Sequence, residues 1–315
     1  MTDKTIGIIG LGSIGLRHVT ELIDLGVTKF YALRTNKGSK DIPKEIAKYV
    51  DNIYSINDFL NLDIDAFIIS NPTSMHINSL NLVLPKNKPI FIEKPLCNSL
   101  NEIRKIESKN LESIQIGFCL RFHELTKRIK DVLTSGMLGN IYHSRLMVGQ
   151  YLPSWHPYTD YRLEYFSKKE LGGGAIRTLS HEIDLAFYFF GEPKSSKVHQ
   201  YKLSNLEIDV DDYSMLLLQY DNQLVRIDVD FLNKKIERKG VVFGTKADLH
   251  YDFIKNEIEI YSEKGLLIKK ETLKAENMYS RQMLAFLNLV ETNQLSNFIS
   301  TFGESVKIIK IIENE

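Results

Sequence analysis

The chain has 315 residues with a hydrophobic content of 43%, enough for two domains that each bury a core. Lys plus Arg and Asp plus Glu stand at 40 each, so no net field draws the protein to nucleic acid or an anionic membrane, and the expected partner is a small molecule. Cys97 and Cys119 make no disulfide framework, and no basic leader or bilayer-length apolar run is read, so the expectation is a cytoplasmic protein.

In chain order, Thr5-Ile6-Gly7-Ile8-Ile9 reads as a strand that opens into Gly10-Leu11-Gly12-Ser13-Ile14-Gly15 and then an amphipathic helix to Leu25. This is a dinucleotide-binding turn in its proper context. Gly10 makes the tight turn, Gly12 lets the backbone approach a pyrophosphate, and Gly15 allows close helix packing. Ser13 and Ile14 add backbone N–H groups at the helix start, where an anion is favoured. The second strand, Lys29 to Leu33, does not lead to the acidic residue that bonds the ribose of NAD about 20 positions on. It ends in Arg34-Thr35-Asn36-Lys37. A guanidinium, a hydroxyl and an ammonium there suit a 2′-phosphate, so NADP is expected ahead of NAD, the alternative being an ordinary solvated basic loop.

Strands at Ala66 to Ser70, Ile90 to Ile92 and Ile114 to Ile116, with helices at Thr73 to Leu84 and Ser99 to Lys109, complete an alternation that predicts a parallel sheet covered on both faces. Ligands of such sheets bind outside the carboxyl strand ends. Phe91-Ile92-Glu93-Lys94-Pro95 falls at one of them, where the Lys94 ammonium is placed to hold or exchange a substrate proton. By position alone a surface lysine is the plain alternative.

The domain boundary is expected near Gly117 to Leu120, giving domains 1–118 and 119–315. Beyond it, helices are expected at Phe122 to Thr134 and Gly174 to Phe190. Alternating runs from Tyr213 to Glu271, separated by turn residues, predict an antiparallel meander. Its uncovered face, expected to be apolar, predicts a homodimer or homotetramer. Helices at Ser280 to Glu291 and Gly303 to Ile312 close the chain. The segment from Gly149 to Arg162 is dense in aromatics: Tyr151, Trp155 and Tyr161 suit the apolar side of a sugar ring, and Asp160 and Arg162 its hydroxyls or an acid group. A structural or subunit-packing loop is the other reading. No metal site is read, because His181-Glu182 lacks a second histidine at ligand spacing and His123, His143 and His156 show none with the cysteines.

Four motifs in order resemble the Gfo/Idh/MocA oxidoreductases: Gly10-x-Gly12-x-x-Gly15, Asn71-Pro72-Thr73-Ser74-Met75-His76, Glu93-Lys94-Pro95, and Gly172-Gly173-Gly174 running through Arg177-Thr178-Leu179-Ser180-His181 to Asp184. The resemblance implies an α/β protein with a Rossmann domain and a second α/β domain built on an open, mainly antiparallel sheet. It implies NAD(P)-dependent hydride transfer at a carbinol or keto carbon of a sugar, sugar acid or nucleotide sugar, in a subgroup similar to those of bacterial surface-sugar synthesis. Lys94 matches the family's catalytic lysine and His181 its histidine. Asn71, Pro72 and Glu93 match the nicotinamide half of the cofactor site, His76 of the same motif is expected to bind cofactor, and Arg177 substrate. Thr178 stands where many members carry an aspartate, so either Lys94 and His181 suffice or a carboxylate such as Glu182 or Asp184 contributes. That departure also motivates two alternatives, a nucleotide-holding sensor or assembly subunit, and an enzyme that recycles a tightly bound cofactor.

Overall fold

A computed structural model describes residues 2–35, 42–106, 111–155 and 157–314. Asn36, Lys37, His156 and the end of the helix expected through Lys109 lie outside the described residues. The chain divides into two compact units: Met1–Cys119 with Asn277–Val306, and Leu120–Glu276 with Lys307–Glu315.

The first unit opens with β1 (Thr2–Ile9), α1 (Ser13–Asp24), β2 (Val27–Leu33), α2 (Lys44–Ala47), β3 (Val50–Ile53), α3 (Ile56–Asn61), β4 (Ala66–Ile69), α4 (His76–Val83), β5 (Ile90–Ile92), α5 (Leu100–Ile103) and β6 (Ile114–Ile116). The strands lie in the order β3-β2-β1-β4-β5-β6, each parallel to its neighbour. That order puts a crossover reversal at β1, with β4 beside it. Ile6, Ile8, Ile68 and Phe91 are fully buried, as expected for strands covered on both faces. The edge strand β3 was not expected from sequence: Asp51 and Asn52 are exposed between Val50 and Ile53, so no apolar run marks it.

The second unit contains α6 (Glu124–Thr134), β7 (Ile141–Gly149), α7 (Ala175–Thr178), α8 (His181–Phe190), β8 (Ser195–Tyr201), β9 (Tyr213–Gln219), β10 (Leu224–Asp230), β11 (Glu237–Gly244), β12 (Ala247–Asp252), β13 (Glu257–Ser262) and β14 (Leu267–Thr272). They form a sheet in the order β14-β13-β12-β11-β7-β10-β9-β8, antiparallel throughout except where β7 meets β10. Leu146, Val148, Leu216, Ile227, Val242 and Ile260 are buried on one face. Helices α6 and α8 lie against the sheet. The strands β7 and β8 were not foreseen. The first half of β7 reads Ile141-Tyr142-His143-Ser144-Arg145, and β8 is a largely exposed edge of Ser, Lys, His and Gln.

The opposite face corrects the expectation of an apolar surface. A cavity of about 590 Å³ lies there, lined by Arg145, Arg226, Asp228, Lys239, Glu257 and Glu259 among others. Period-two alternation sends these charges outward while their strand neighbours fill the core.

Three elements close the chain: α9 (Met278–Thr292), β15 (Ser300–Thr301) and α10 (Phe302–Ile312). The stretch Asn277–Val306 belongs to the first unit, where an unbroken second domain over 119–315 placed it with the sheet. The reason is packing. Met283, Phe286, Leu287 and Leu289 of α9 join the core that holds Val19 and Leu22 of α1, and the Phe286 ring meets Phe91 edge-on at 5.7 Å. Asn277 caps α9 and also donates to Glu21 on α1, while β15 adds antiparallel to β6.

In the second unit α6 is tied to β14 by a fork: Arg128 Nε and Nη2 donate to the two Glu271 carboxylate oxygens at 2.7 and 2.9 Å. This pairing holds the Glu271 carboxyl down to about 2 from its ordinary 4.5. A depressed carboxyl contributes stability above its unfolded value and loses it as the pH falls through the folded value. Glu271→Gln should therefore destabilise the second unit by about 1–2 kcal/mol at pH 7, discounted for partial exposure. The gap from the parent should narrow between pH 4.5 and about 2 in thermal melts, and a constant gap across that window refutes the pairing.

Candidate active site

The Gly10 to Gly15 turn joins β1 to α1, and each glycine has a distinct steric reason. Gly10 has φ +97°, and a Cβ there would stand 2.3 Å from the Asn71 backbone nitrogen. At Gly15 a Cβ would stand 2.3 Å from the Gly10 carbonyl oxygen. Gly12, the cap of α1, has nothing within 4 Å of such an atom. Two glycines close the turn and the third leaves open space above it. No acidic residue occupies the first turn of α1, and no side chain caps it, so the helix dipole and the N–H groups near Ser13 and Ile14 favour an anion. These residues fit the pyrophosphate of a dinucleotide.

The carboxyl ends of β1, β4 and β5 lie side by side in the sheet. Ser70 Oγ donates to the Gly10 carbonyl at 2.6 Å, and Asn71 Nδ2 donates to Ser79 Oγ at 2.8 Å. Pro72 is exposed, and Lys94, joined to Pro95 by a cis peptide, is half-buried at the end of β5. Arg34 follows β2, where its Nη1 donates to Asn52 Oδ1 at 3.3 Å, and Thr35 is exposed beside it.

His76 and Glu93, expected along the cofactor, point inward. His76 is 1% exposed, with Nδ1 2.9 Å from the Pro95 carbonyl and Nε2 2.9 Å from the Asn71 carbonyl. Burial pushes the imidazole below its ordinary range, against the pull of these carbonyls and Glu93. The neutral ring has one N–H, so it donates to one carbonyl at a time. Glu93 Oε1 accepts from His18 Nε2 at 2.7 Å, and Oε2 accepts from the Lys94 N–H at 3.1 Å. His76 therefore ties the two loops together from beneath, a correction to its expected contact with the cofactor.

In the second unit the Gly172 to Gly174 triplet leads into α7, which carries Arg177 and Thr178, and α8 then begins at His181. Gly173 passes against Phe166, where a Cβ would be 2.5 Å from its carbonyl oxygen, and Gly174 has φ +113°. Thr178 is 3% and His181 8% exposed. Arg177 forms an ion pair with Glu313 at 3.6 Å. The two carboxylates weighed as substitutes at Thr178 are both engaged. Asp184 receives Arg121 through a fully buried fork at 2.7 to 3.0 Å. Glu182 is paired with Arg238 at 2.8 Å.

A third carboxylate, not singled out from sequence, adjoins the motif. Asp211 accepts from the Ile176 N–H at 3.0 Å and from Ser214 Oγ at 2.7 Å, and its own carbonyl accepts from Ala175. It thereby caps α7 across a separation that no local pattern reveals. Burial pushes its carboxyl up.

The aromatic segment divides. Trp155 stacks on Phe166 at 5.4 Å and leans on Phe231, a packing role, and Tyr151 lies 2.9 Å beneath the Lys234 ammonium. Arg162 is held by Asp160 at 2.6 Å and by Glu207 at 3.3 Å, and the Tyr161 hydroxyl accepts from the Glu207 N–H. Arg162 and Asp160 thus satisfy one another on the surface.

A family model described as an oxidoreductase family with an NAD-binding Rossmann fold matches residues 4–110, and one described as the Gfo/Idh/MocA C-terminal domain matches residues 126–250. The uncharacterized oxidoreductase YrbE of Bacillus subtilis (strain 168) is 25% identical over 318 residues, spanning 93% of this chain and 89% of its own length. An inositol 2-dehydrogenase of Salmonella typhimurium is 27% identical over 233 residues, 70% of this chain and 64% of its own. Among solved structures, levoglucosan dehydrogenase in complex with NADH and levoglucosan superposes with a TM-score of 0.84 at 15% identity, over 99% of this chain and 96% of that one. UDP-N-acetylglucosamine 3-dehydrogenase GnnA from Acidithiobacillus ferrooxidans gives 0.76 at 16% identity, over 99% and 97%. Likeness at these identities is a likeness of fold.

The glycine geometry separates folding from binding. Gly12→Ala should melt within a degree or two of the parent yet bind NADH roughly tenfold or more weakly, because its methyl enters the space an anion needs. Gly15→Ala should lower stability itself, by roughly 1–3 kcal/mol of overpacking. Calorimetric titration and thermal melts of both variants decide it; undiminished NADH binding by Gly12→Ala refutes the assignment of that space.

Proposed function

The chain belongs to the Gfo/Idh/MocA family of oxidoreductases, and from that premise we propose that it moves hydride between a nicotinamide dinucleotide and a carbinol or keto carbon of a sugar, sugar acid or nucleotide sugar. The observation that carries the reading is the row of strand ends in the first unit. Gly10, Asn71 and Lys94 follow β1, β4 and β5 on neighbouring parallel strands, beside the uncapped start of α1. A bound nicotinamide supplies the hydride acceptor or donor.

In this reading the Gly10 to Gly15 turn holds the pyrophosphate. Lys94 donates a hydrogen bond to the substrate oxygen and carries its proton as charge develops there. His181 is assigned the second proton-handling role. Thr178, which has no charge to lend, orients a hydroxyl. Asp211 keeps α7 at the angle its glycines allow. Cyclic polyols are the proposed substrates, the class named for the inositol and levoglucosan dehydrogenases, with Tyr151, Tyr161 and Arg177 as side chains for the ring and its hydroxyls.

NADP(H) is proposed ahead of NAD(H), although the levoglucosan dehydrogenase complex carries NADH. Arg34 and Thr35 at the end of β2 offer a cation and a hydroxyl, and the neutral Asn52 is the side chain that Arg34 meets. A homodimer or homotetramer is proposed through the open face of the second sheet, where half-buried Met147, Leu217, Val241 and Phe243 lie among the charges. Light scattering that returns a monomer at micromolar concentration removes that proposal. Thr178 favours a second reading, a subunit that holds the nucleotide without turning it over.

Calorimetry with NADPH and NADH, on the parent and on Arg34→Asp, tests the cofactor. NADPH should bind at least tenfold tighter, a difference of about 1.4 kcal/mol, and the variant should reverse the order. Lys94→Ala should then abolish turnover in a screen of polyols, myo-inositol and levoglucosan included, with nucleotide affinity nearly intact. Turnover that survives in Lys94→Ala rejects the role given to the lysine, and nucleotide binding with no turnover on any polyol or sugar nucleotide favours the non-catalytic subunit.

A further inference from the structure

We infer that His18 and His76 are positioning residues that hold Lys94 from both flanks, an inference that rests on the reading of Lys94 given above. The two residues bracketing Lys94 each have a polar group captured by a buried histidine. On the amino side, His18 Nε2 meets Glu93 Oε1 at 2.7 Å, while the other oxygen of the same carboxylate accepts the Lys94 backbone N–H at 3.1 Å. On the carboxyl side, His76 Nδ1 meets the Pro95 carbonyl at 2.9 Å. His18 is 0% and His76 1% exposed, so water cannot replace either donor.

The fit around Glu93 is tight on its remaining side. A Cβ at Gly117 would stand 3.0 Å from the Glu93 carboxylate, and the Phe91 ring meets the His18 ring edge-on at 4.9 Å. His18 Nδ1 is buried without a partner, so the ring's one useful bond is the one to Glu93. An unpaired buried nitrogen is a standing penalty, and a leucine in that place would avoid it. The retained imidazole thus has its account in the carboxylate it holds.

Both histidines also connect Lys94 to the proposed nucleotide loops. His18 sits on α1, one turn beyond the glycine turn. His76 begins α4, with Nε2 against the Asn71 carbonyl at the end of β4. A change in the seating of either loop therefore reaches the backbone on one side of Lys94 through a single side-chain contact. Neither histidine needs to touch substrate to affect turnover, since a small displacement of a proton-transferring group is enough to slow it.

The test reads Lys94 itself and needs no known substrate. Protein grown on lysine labelled with carbon-13 at Cε, saturated with NADPH or NADH as binding dictates, is compared as parent, His18→Leu, His18→Gln and His76→Leu, with the Lys94 resonance assigned by its loss in Lys94→Arg. The Lys94 resonance should shift or broaden in His18→Leu and His76→Leu while the other lysine resonances stay in place. His18→Gln, which keeps an amide donor near the Nε2 position, should restore it. Where a polyol turns over, kcat in the leucine variants should fall roughly ten- to a hundredfold with nucleotide affinity little changed. If His18→Leu does not fold, Gly117→Ala, which presses on Glu93 without removing a bond, should move the same resonance. A Lys94 resonance unmoved in every folded variant overturns the inference. A resonance that moves, together with full turnover in Lys94→Ala, overturns the role of Lys94 and leaves the bracing intact.

Discussion

The contact between Gly15 of α1 and the Gly10 carbonyl governs the first unit. With no side chain at either position, the helix settles directly on the turn, and Ser70 from β4 reaches the same carbonyl at 2.6 Å. Three elements meet within van der Waals distance, so the start of α1 can point only across the strand ends. That seating aims the N–H groups of the helix at the place proposed for the pyrophosphate. It also fixes which face of α1 is buried: Val19 and Leu22 enter the core, α9 packs over them, and His18 is turned inward to Glu93. A change at the glycines is therefore a change in Lys94's surroundings as well.

The second unit uses charge where the first uses close approach. Arg121 and Asp184 are both buried, and removing two ions from water costs as much as their attraction returns, so the pair's effect is one of orientation. It pins the first turn of α8 to the start of the domain, while Asp211 holds the start of α7. The short link between those helices, Leu179 and Ser180, is thus restrained from both ends. His181 follows directly from it.

What could be read from sequence follows from which constraints are local. The glycine turn was legible because its steric demands act on single positions, and the central parallel strands because burial on both faces makes them continuously apolar. Most of the meander was legible from period-two alternation between turn residues. Strands β3, β7 and β8 were not, since β3 and β8 are edges with exposed polar residues, and β7 carries Ser144 at a core position between His143 and Arg145. The amphipathic pattern of α9 declares a buried face but not which core receives it, and Phe91, the ring that meets Phe286, is far away in sequence. The same limit hid the site's internal bonds. His76 looked like a cofactor contact because it follows Asn71 and Pro72, and only the folded chain shows both its nitrogens against carbonyls.

The carboxylates beside the motifs bear on the chemistry more than the substitution at Thr178 does. Glu93 is engaged by His18, Asp184 by Arg121, Glu182 by Arg238, and Asp211 by the Ile176 N–H and the Ser214 hydroxyl. Each of these bonds fixes the carboxylate in its place in the fold. An aspartate at position 178 would have joined a motif whose other acids are structural. With threonine there, the groups proposed to handle protons are nitrogens: an ammonium at Lys94 in the first unit, and in the second an imidazole at His181. The role proposed for Lys94 depends on where the lysine is held, which is why the buried histidines on either side of it are proposed to act on the reaction without taking part in it.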